Sequence, residues 1–392
     1  AWKVPASEIT VTSGVMQHAS GQSAHYGQMV AAASGSTPSG IETKSRERWQ
    51  LIGQSAPRTD IPSKVTGQAT FGLDVRLPGM LFAAVQMCPM LGGTAASMDT
   101  KDALALKGVS KVVQLDAWGG GTAGLAVVGQ TTWHAKQGVQ AVKVQWQAPA
   151  KGTVDTQRIQ ANLLKALNEE SGFTFHEQGV PTQAEKAAAT RIDALYQAPY
   201  LAHSTMEPMN CTAHAKADGS VEVWAPTQRP DMGASGAFSL IQAALGVPKE
   251  KITIHMIRCG GGFGRRLDND YAVEAAAISK QAGNIPVKLI WTREQDVQHD
   301  PYRPGGYHNF KAGLDKDGDL IALTNHFVSF GRPNDAGAMT ILASANSPPQ
   351  EWPAGSIPNH SYDQSLMMGG MPTGPLRAPT SNAVCFVYQS FL

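Results

Sequence analysis

The sequence has few cysteines, few charges and no long apolar run. Its four cysteines are scattered without a CxxC pair, which argues against zinc or iron–sulfur ligation within the chain. Charged residues make up 16% and the net charge is +1, so the charge balance favours neither nucleic acid nor an anionic membrane. The longest apolar runs, such as residues 125–129, are far too short to span a bilayer. A nucleic-acid partner is therefore excluded, whereas disulfides and the cellular compartment stay open.

The sequence also lacks internal repeats, low-complexity segments and an initiating methionine. Its 40 glycines and 24 prolines are spread along the chain without a period. The start, Ala1-Trp2-Lys3, carries no signal peptide, and we expect a chain that begins within a longer protein. With 392 residues, of which 42% are hydrophobic, the chain has enough material for two or three domains.

Strand-like and helix-like patterns are mixed along the chain and predict an α+β fold. The patterns predict strands at residues 69–75, 80–87, 110–115, 124–128, 141–146, 221–225, 252–257 and 287–291. They predict helices at residues 26–33, 133–138, 156–169, 231–245 and 270–281. Asp317-Gly318 predicts the turn of a hairpin whose arms are residues 307–314 and 320–327.

A glycine-rich stretch, CGGGFGRR at residues 259–266, lies between a predicted strand and a predicted alanine-rich helix. Consecutive glycines let the main chain approach a ligand closely, and the amides at a helix start favour an anion. Its two arginines would add charge-assisted hydrogen bonds. The residues alone leave two interpretations open, an anion-binding loop or a plain tight turn. No Gly-Lys dipeptide occurs in the chain, so the stretch is not a Walker A loop.

Two further patterns resemble known binding motifs but lack the required context. Gly119, Gly121 and Gly124 have the spacing of a dinucleotide fingerprint, yet a strand-like segment follows them where a helix is needed. The aspartates at 315, 317 and 319 imitate a calcium loop, but Gly318 comes too early and His326 stands where the loop requires glutamate. We therefore predict a plain loop at the first pattern and a hairpin turn at the second.

Single residues also allow a functional and a structural interpretation. His203 and Glu207 are four apart and would share a helical face, but without an HExxH motif a structural pair is the better interpretation. Cys259 could be a nucleophile for aldehydes, yet no activating base is evident and a buried small residue fits better. Arg377 is either a surface arginine in a rigid turn or a functional residue. Residues 366–371 (LMMGGM) are either core filler or an adaptable pocket wall.

Several segments occur in an order that is more specific than any one of them. Thr227-Gln228, a stop at residues 245–248 (LGVP), a predicted strand and the GGGFG loop follow one another. HSTMEP at residues 203–208 precedes this series, and GPLRAPTSN at residues 374–382 follows it. This order resembles the molybdenum-pterin subunits of the xanthine oxidase family, with their His-and-Glu segment and their arginine-containing active-site loop.

The resemblance extends over nearly the whole chain. The segments RTD at 58–60, KVTG at 64–67 and PGML at 78–81 are similar to the family's α/β hammerhead domain. The double arginine and the early segment at residues 2–33 indicate the isoquinoline 1-oxidoreductase and membrane-bound aldehyde dehydrogenase branch. The resemblance implies part of a molybdopterin-binding domain at residues 1–52, the hammerhead domain at 53–148, a linker with a helix at 149–187, and the first molybdenum-cofactor-binding domain, truncated at its C-terminal side, at 188–392.

The resemblance also implies the site residues. The expected cofactor is molybdenum–molybdopterin cytosine dinucleotide, whose pterin dithiolene holds the metal, so no protein metal ligand is expected. Gln228 would hydrogen-bond a molybdenum ligand, and Arg377 would line the substrate pocket; these two are the expected catalytic residues. The expected cofactor-binding residues are Gly260, Gly261, Gly262, Phe263, Gly264, Arg265, Arg266, Gln228, Arg377 and Ala378.

The implied activity is the hydroxylation of N-heteroaromatic compounds or aldehydes with water as the oxygen source. Electrons would leave through a small 2Fe-2S partner subunit; the branch also includes cytochrome c subunits and implies a periplasmic or periplasm-facing membrane location. The family's general base is a glutamate in a Gly-Glu motif, and this chain contains neither that dipeptide nor a Met-Gly-Gln-Gly segment. We therefore expect a partial subunit that needs the remaining segments of the same subunit and is inactive alone. Two other hypotheses are a scaffold fragment that binds no cofactor and a cysteine-dependent aldehyde dehydrogenase.

Overall fold

The computed structural model describes residues 2–150, 152–169, 173–330, 354–367, 371–379 and 382–392. Their contacts divide the chain into two compact units, Ala1–Ala69 and Thr70–Leu392. The predicted domain boundaries rest on the resemblance to the family rather than on contacts. They stay predictions.

The first unit contains one small antiparallel sheet and two helices. Its elements are β1 (Thr10–Thr12), β2 (Val15–Gln17), β3 (Ser23–His25), α1 (Tyr26–Ala33) and α2 (Ile61–Val65), and the sheet order is β1-β2-β3. Helix α1 begins at His25, whose side chain accepts a hydrogen bond from the Gly27 amide at 3.3 Å. The His25 amide in turn donates to the side chain of Gln28 at 2.7 Å, so two amides that the helix leaves open are satisfied. The predicted helix at residues 26–33 is confirmed.

The second unit contains all the other elements. Its strands are β4 (Leu81–Met87), β5 (Thr94–Asp99), β6 (Val109–Leu115), β7 (Gly124–Gly129), β8 (Lys143–Gln147), β9 (Phe173–Gln178), β10 (Thr190–Ala198), β11 (Asn210–Ala215), β12 (Val221–Ala225), β13 (Ile252–Met256), β14 (Val287–Ile290), β15 (Gly306–Leu314), β16 (Leu320–Phe330) and β17 (Asn359–Met367). Its helices are α3 (Lys101–Ala105), α4 (Thr132–Ala141), α5 (Thr156–Glu169), α6 (Pro181–Ala187), α7 (Ala237–Leu245), α8 (Asp270–Gln281), α9 (Arg293–Gln298) and α10 (Asn382–Phe391). Among the described residues, none of the helices combines the length and apolarity that crossing a bilayer requires.

Among the described residues, the strands of the second unit form three sheets. A seven-stranded mixed sheet has the order β13-β12-β11-β14-β4-β7-β6, with β12/β13 and β14/β4 parallel and the other pairs antiparallel. A five-stranded sheet has the order β10-β15-β16-β17-β9, and β5 pairs with β8. Mixed and antiparallel sheets with interspersed helices confirm the predicted α+β class.

The main core lies where α7 and α8 pack on the seven-stranded sheet. Helix α8 is buried from Asp270 to Ser279, and its alanines allow a close approach to β11. Strand β7 (GLAVVG) is buried along its whole length because both of its faces are covered: Ala126 and Val128 join the main core, and Leu125 and Val127 join a second one. A separate core holds α10 against the five-stranded sheet through Phe310, Tyr362 and Val387.

The geometry of the seven-stranded sheet brings four chain segments to one edge. The parallel pair β12/β13 ends at Ala225 and Met256, which are register partners. Strand β11 runs antiparallel to β12 and starts at Asn210, which pairs with Ile290 at the end of β14. The segments that follow β12, β13 and β14 therefore meet the segment that precedes β11.

Two predicted elements differ from the structure. The predicted strand at residues 69–75 is wrong, because the Asp74 carboxylate accepts from the Phe71 amide and closes a 3-10 turn at Gly72–Asp74. The predicted helix at residues 231–245 is too long at its start. The Gly236 amide donates to Gly233, which has φ +59°, so α7 begins only at Ala237.

Candidate functional site

The glycine loop, residues 260–264, follows strand β13 and packs against three other segments. A Cβ on Gly260 would lie 2.5 Å from Glu207 Cβ, and one on Gly262 would lie 2.6 Å from Gln228 Oε1. Gly264 has φ +110°, and a Cβ there would lie 1.7 Å from the Pro375 carbonyl oxygen. These contacts explain the glycines at 260, 262 and 264. A side chain at any of these positions would push the loop away from residue 207, 228 or 375.

The middle of the glycine loop presents free donors. Gly260 N donates to Glu207 Oε2 at 2.8 Å, and Gly264 N donates to Gln228 Oε1 at 3.2 Å. Within the described part of the chain, the three amides between them, at residues 261–263, have no hydrogen-bond partner. Consecutive amides of this kind form an anion-binding concavity, so the geometry favours the ligand-binding interpretation over a plain turn.

Two residues other than glycine adopt left-handed backbone conformations where the glycine loop meets the loop at 371–379. Phe263 has φ +55° and Ala378 has φ +57°, and each such residue costs on the order of 1–3 kcal/mol. The Arg377 amide, next to Ala378, donates to the Phe263 carbonyl at 2.7 Å. Backbone strain concentrated at a junction between two predicted site segments is typical of a ligand-binding site.

Glu207 anchors the first residue of the glycine loop through its carboxylate. Its carboxylate accepts from Gly260 N and, through Oε1, from Leu73 N at 2.9 Å. Arg266 pairs with the same carboxylate at 3.2 Å and also donates to the Gly261 carbonyl at 2.8 Å. The pair is buried, so both charges depend on each other, and the loop is fixed on its inner side.

Arg265 belongs to a second buried ion-pair network. Its two terminal nitrogens donate to the Asp270 carboxylate at 2.8 and 2.9 Å, and its Nε lies 3.1 Å from Asp300 Oδ1. The guanidinium also lies 5.4 Å from the ring centre of Trp291, which contributes a cation–π contact. The pKa of Arg265 is raised, because the surrounding carboxylates outweigh the opposing effect of its burial.

Both arginines after the glycine loop therefore have carboxylate partners within the protein. Arg265 and Arg266 are almost completely buried, and helix α8 begins only at Asp270, so a 3-10 turn separates it from the loop. The Arg266 guanidinium binds the loop through the Gly261 carbonyl, whereas the Arg265 guanidinium binds Asp270 and Asp300. Direct binding of a cofactor by either arginine stays a prediction.

Gln228 is placed by the parallel pairing of β12 and β13. Its amide donates to the Arg266 carbonyl at 2.9 Å, and the preceding Thr227 hydroxyl donates to Asn269 at 2.6 Å. Because Gln228 Oε1 accepts from Gly264 N, its Nε2 is left as a donor, without a partner among the described residues. The predicted neighbours Gln228 and Gly262–Gly264 are thus brought together.

The loop that carries Arg377 and Ala378 is docked on the same site. Tyr302 N donates to the Pro372 carbonyl and Gly374 N donates to the Tyr302 carbonyl, both at 3.0 Å. The Pro375 carbonyl then lies directly over Gly264. Residues 380–381 of the predicted active-site loop, and residues 368–370 of the LMMGGM stretch, lie outside the described residues.

A buried acid stands beside the network of Arg265. Glu274 is buried, and burial raises its pKa well above the usual range, with Asp270 adding to the effect. Trp291 Nε1 donates to Glu274 Oε2 at 2.9 Å. The raised pKa favours the neutral form of the Glu274 carboxyl, and the ion-pair partners of Arg265 are the aspartates at 270 and 300.

His203 and Glu207 do not share a helical face, because residues 202–208 form no helix. His203 contacts Asp300 and Pro375, whereas Glu207 contacts the glycine loop and Arg266. Their contacts agree with the structural interpretation of this pair.

Cys259 has surroundings unlike those of a catalytic thiol. It is half-buried, and burial raises the pKa of its thiol, while nearby Arg266 only partly opposes this shift. A nucleophilic cysteine needs a lowered pKa. The structure therefore disfavours the cysteine-dependent aldehyde dehydrogenase.

The loop at Gly119–Gly121 lies at a different place in the second unit. Strand β7 follows it, as predicted, and a helix in the position of a dinucleotide fingerprint is absent there. The loop helps to line a cavity of about 690 Å³, together with Asp116, Asp270 and Thr373. The glycine loop at 260–264 does not line that cavity, so the cavity and the free amides indicate two different candidate sites. The candidate site is the one with the free amides, because hydrogen-bond donors indicate an anionic ligand.

The Asp317-Gly318 turn closes the predicted hairpin of β15 and β16. Asp315 Oδ1 accepts from the amides of Asp317 and Asp319 at 2.9 and 3.0 Å. The carboxylate thus caps the turn, as an aspartate commonly does.

Sequence reasoning missed Asp300, which joins His203 to Arg265. It follows β14 and α9 at the same sheet edge, but a single aspartate before a proline carries no recognisable signal. The role of Glu207 in holding Gly260 was also missed, although its place in HSTMEP was noted.

The chain matches the family model described as molybdopterin cofactor-binding domain over residues 166–391. It is 32% identical to the isoquinoline 1-oxidoreductase beta subunit of Brevundimonas diminuta, over 82% of this chain and 46% of that protein. It is 29% identical to the membrane-bound aldehyde dehydrogenase (pyrroloquinoline-quinone) of Gluconacetobacter polyoxogenes, over 93% of this chain and 46% of that protein. The chain thus spans slightly less than half the length of these two relatives.

The fold resembles that of a solved oxidoreductase. Quinoline 2-oxidoreductase from Pseudomonas putida 86 superimposes with a TM-score of 0.60 at 18% identity, covering 83% of this chain and 45% of that chain. At this identity the likeness concerns the fold alone, whereas the family model covers more than half of the sequence. The similarity to these two relatives agrees with the predicted branch, and the family model shows that the chain belongs to the molybdopterin cofactor-binding domain family.

Proposed function

We propose that this chain is the cofactor-binding part of a molybdenum hydroxylase that oxidises N-heteroaromatic compounds or aldehydes. The observation that carries the proposal is the row of three free amides at residues 261–263, beside the free Nε2 of Gln228. Such a donor set fits the oxygen-rich, anionic surface of a molybdopterin cofactor. The family match supports the pterin, and the names of the relatives support the two substrate classes.

The proposed reaction inserts oxygen from water into a C–H bond. One R–H and one water give R–OH, two protons and two electrons, and the electrons leave one at a time through 2Fe-2S clusters of a small partner subunit. When bound, the molybdenum cofactor supplies the two-electron redox chemistry. We propose the cytosine dinucleotide form of the cofactor, as the resemblance implies.

In this proposal, the residues of this chain bind the cofactor and fix its orientation. The amides at 261–263 hold acceptor atoms of the cofactor at fixed positions, and Gln228 adds a side-chain donor. The Arg377 main-chain amide donates to the Phe263 carbonyl, and in this proposal the Arg377 side chain faces the substrate. The general base is a glutamate of a Gly-Glu motif, which this sequence does not contain, and so we propose that the chain is inactive alone.

The proposed partners are the small 2Fe-2S subunit, the remaining segments of the same subunit and a cytochrome c subunit. A periplasmic or periplasm-facing membrane location belongs to the same proposal. The resemblance to the branch supports both statements.

The experiment is an elemental and pterin analysis of the protein purified as it occurs in the cell, with its partners. We expect one molybdenum per site and release of a pterin cytosine dinucleotide. Gly262→Ala places a Cβ against Gln228, so it should lower the molybdenum content several-fold, whereas Gly283→Ala, in open space, should not. A well-folded preparation without molybdenum would overturn the proposal in favour of a scaffold that binds no cofactor.

A further inference from the structure

His203 is a buried histidine whose two ring nitrogens both face hydrogen-bond acceptors. Nδ1 lies 2.9 and 3.0 Å from the two Asp300 carboxylate oxygens, and Nε2 lies 3.0 Å from the Pro375 carbonyl oxygen. The side chain of His203 is 1% exposed and that of Asp300 is 2% exposed, so water does not compete for these positions. Rotating the ring by 180° would point carbon atoms at the same acceptors, so the contacts fix its orientation.

The two acceptors differ in one respect: a protonated carboxyl group can donate a hydrogen bond, whereas a peptide carbonyl cannot. The Pro375 carbonyl accepts only, so His203 Nε2 must carry a proton. Asp300 Oδ1 also lies 3.1 Å from Arg265 Nε, and Asp300 Oδ2 accepts from the His203 main-chain amide. The ion pair with Arg265 favours the ionised carboxylate, which has no proton to give, so His203 Nδ1 donates to it.

We propose that His203 is a positioning residue, which donates through both ring nitrogens and so fastens the loop of Pro375 and Arg377 onto the glycine loop. Its ring joins Asp300, which follows α9, to the Pro375 carbonyl, which lies over Gly264. Two residues further on, the Arg377 amide bonds to Phe263. These two bonds set where Arg377 leaves the main chain relative to the free amides at 261–263.

Two other histidines, the half-buried His299 and the buried His308, provide internal references. Burial lowers the pKa of His299 to about 4 and the pKa of His308 to about 3. Both are therefore neutral at pH 7. Burial alone favours the neutral form of a histidine, and His203 differs because the Asp300 carboxylate and the Pro375 carbonyl face its two ring nitrogens.

The first experiment measures the charge of His203 without changing it. The 392-residue chain is labelled with ¹⁵N in its 11 histidines, and ring nitrogen resonances are recorded at pH 7. The His203 signals, assigned with His203→Phe, should show two protonated ring nitrogens, whereas His299 and His308 should show one each. A His203 spectrum with one bare nitrogen would overturn the proposal.

The second experiment measures the fastening itself by hydrogen exchange. His203→Phe keeps a ring of similar size but donates nothing, and we expect exchange of the Arg377 amide to rise about tenfold or more. Exchange in helix α8 should stay unchanged. His214→Phe is the matched control, because His214 is half-buried and only one of its ring nitrogens contacts an acceptor, the Asn284 carbonyl at 3.2 Å. Unchanged Arg377 exchange in His203→Phe, or an equal rise in His214→Phe, would show that His203 does not fasten this loop.

Discussion

Gly264→Ala tests whether the glycine loop depends on close packing rather than on backbone freedom alone. The new Cβ would lie 1.7 Å from the Pro375 carbonyl oxygen, and this neighbour is main chain that cannot rotate away. The φ of +110° is also unfavourable for alanine. The substitution therefore combines backbone strain with the displacement of a docked loop.

The magnitude follows from the contacts that are lost. Alanine in such a backbone conformation costs about 1–3 kcal/mol. Moving the Pro375 carbonyl also breaks its bond to His203, and a hydrogen bond to a charged group contributes about 1.5–3 kcal/mol. We expect Gly264→Ala to lower the free energy of unfolding by about 2.5–6 kcal/mol, a large part of the ~5–15 kcal/mol of a typical domain.

Gly283→Ala is the matched control, because Gly283 has φ +102° but no atom within 4 Å of its Cβ position. We expect it to lose only the backbone contribution of about 1–3 kcal/mol. Urea unfolding can be followed by the fluorescence of Trp291, which is buried beside Arg265. Equal shifts of the unfolding midpoint for the two variants would refute the argument, since they would show that the Pro375 contact contributes nothing.

Three further predictions concern groups around the site. Glu207→Gln removes the charge that the buried Arg266 faces, and we expect a loss of about 3 kcal/mol in urea unfolding; an unchanged midpoint would contradict this. Burial lowers the pKa of Lys288 from 10.5 to about 8, so between these pH values the unfolded chain holds the extra proton. The stability of the wild type relative to Lys288→Met should therefore rise from pH 8 to 10.5, and a flat difference would count against it. Cys259→Ala should leave the molybdenum content and the turnover of the assembled enzyme within about twofold, because burial raises its thiol pKa; abolished turnover would revive the cysteine mechanism.

Strong local patterns predicted most of the fold. Helices α5 and α8 have the predicted bounds, and the Asp317-Gly318 hairpin forms where its turn residues indicated. The five-stranded sheet was harder to predict, since β9 and β10 lack clear alternation and their pairing partners are more than 100 residues away. The segment at 69–75 alternates like a strand, but a local carboxylate–amide bond closed a turn instead.

The site was predictable where sequence order and sheet topology coincide. Gln228 and the glycine loop each follow a strand, and the parallel pairing of β12 and β13 places both at one edge. The inner contacts were not predictable, because Asp300 reaches His203 across 97 residues of chain. Nothing in one sequence indicates which of many acids will be buried beside which base.

The pairing of both arginines determines how the glycine loop can bind a ligand. Arg266 is neutralised by Glu207, and Arg265 by Asp270 and Asp300, so neither charge is left over for the outer face of the loop. That face instead offers main-chain amides. The buried pair of Glu207 and Arg266 fixes their positions through bonds to the main chain of Gly260 and Gly261. Amides held in this way favour one placement of the ligand, whereas a long cationic side chain would tolerate many. In the proposed function the molybdenum centre lies within reach of both Gln228 and Arg377, and a fixed placement of the ligand serves that chemistry.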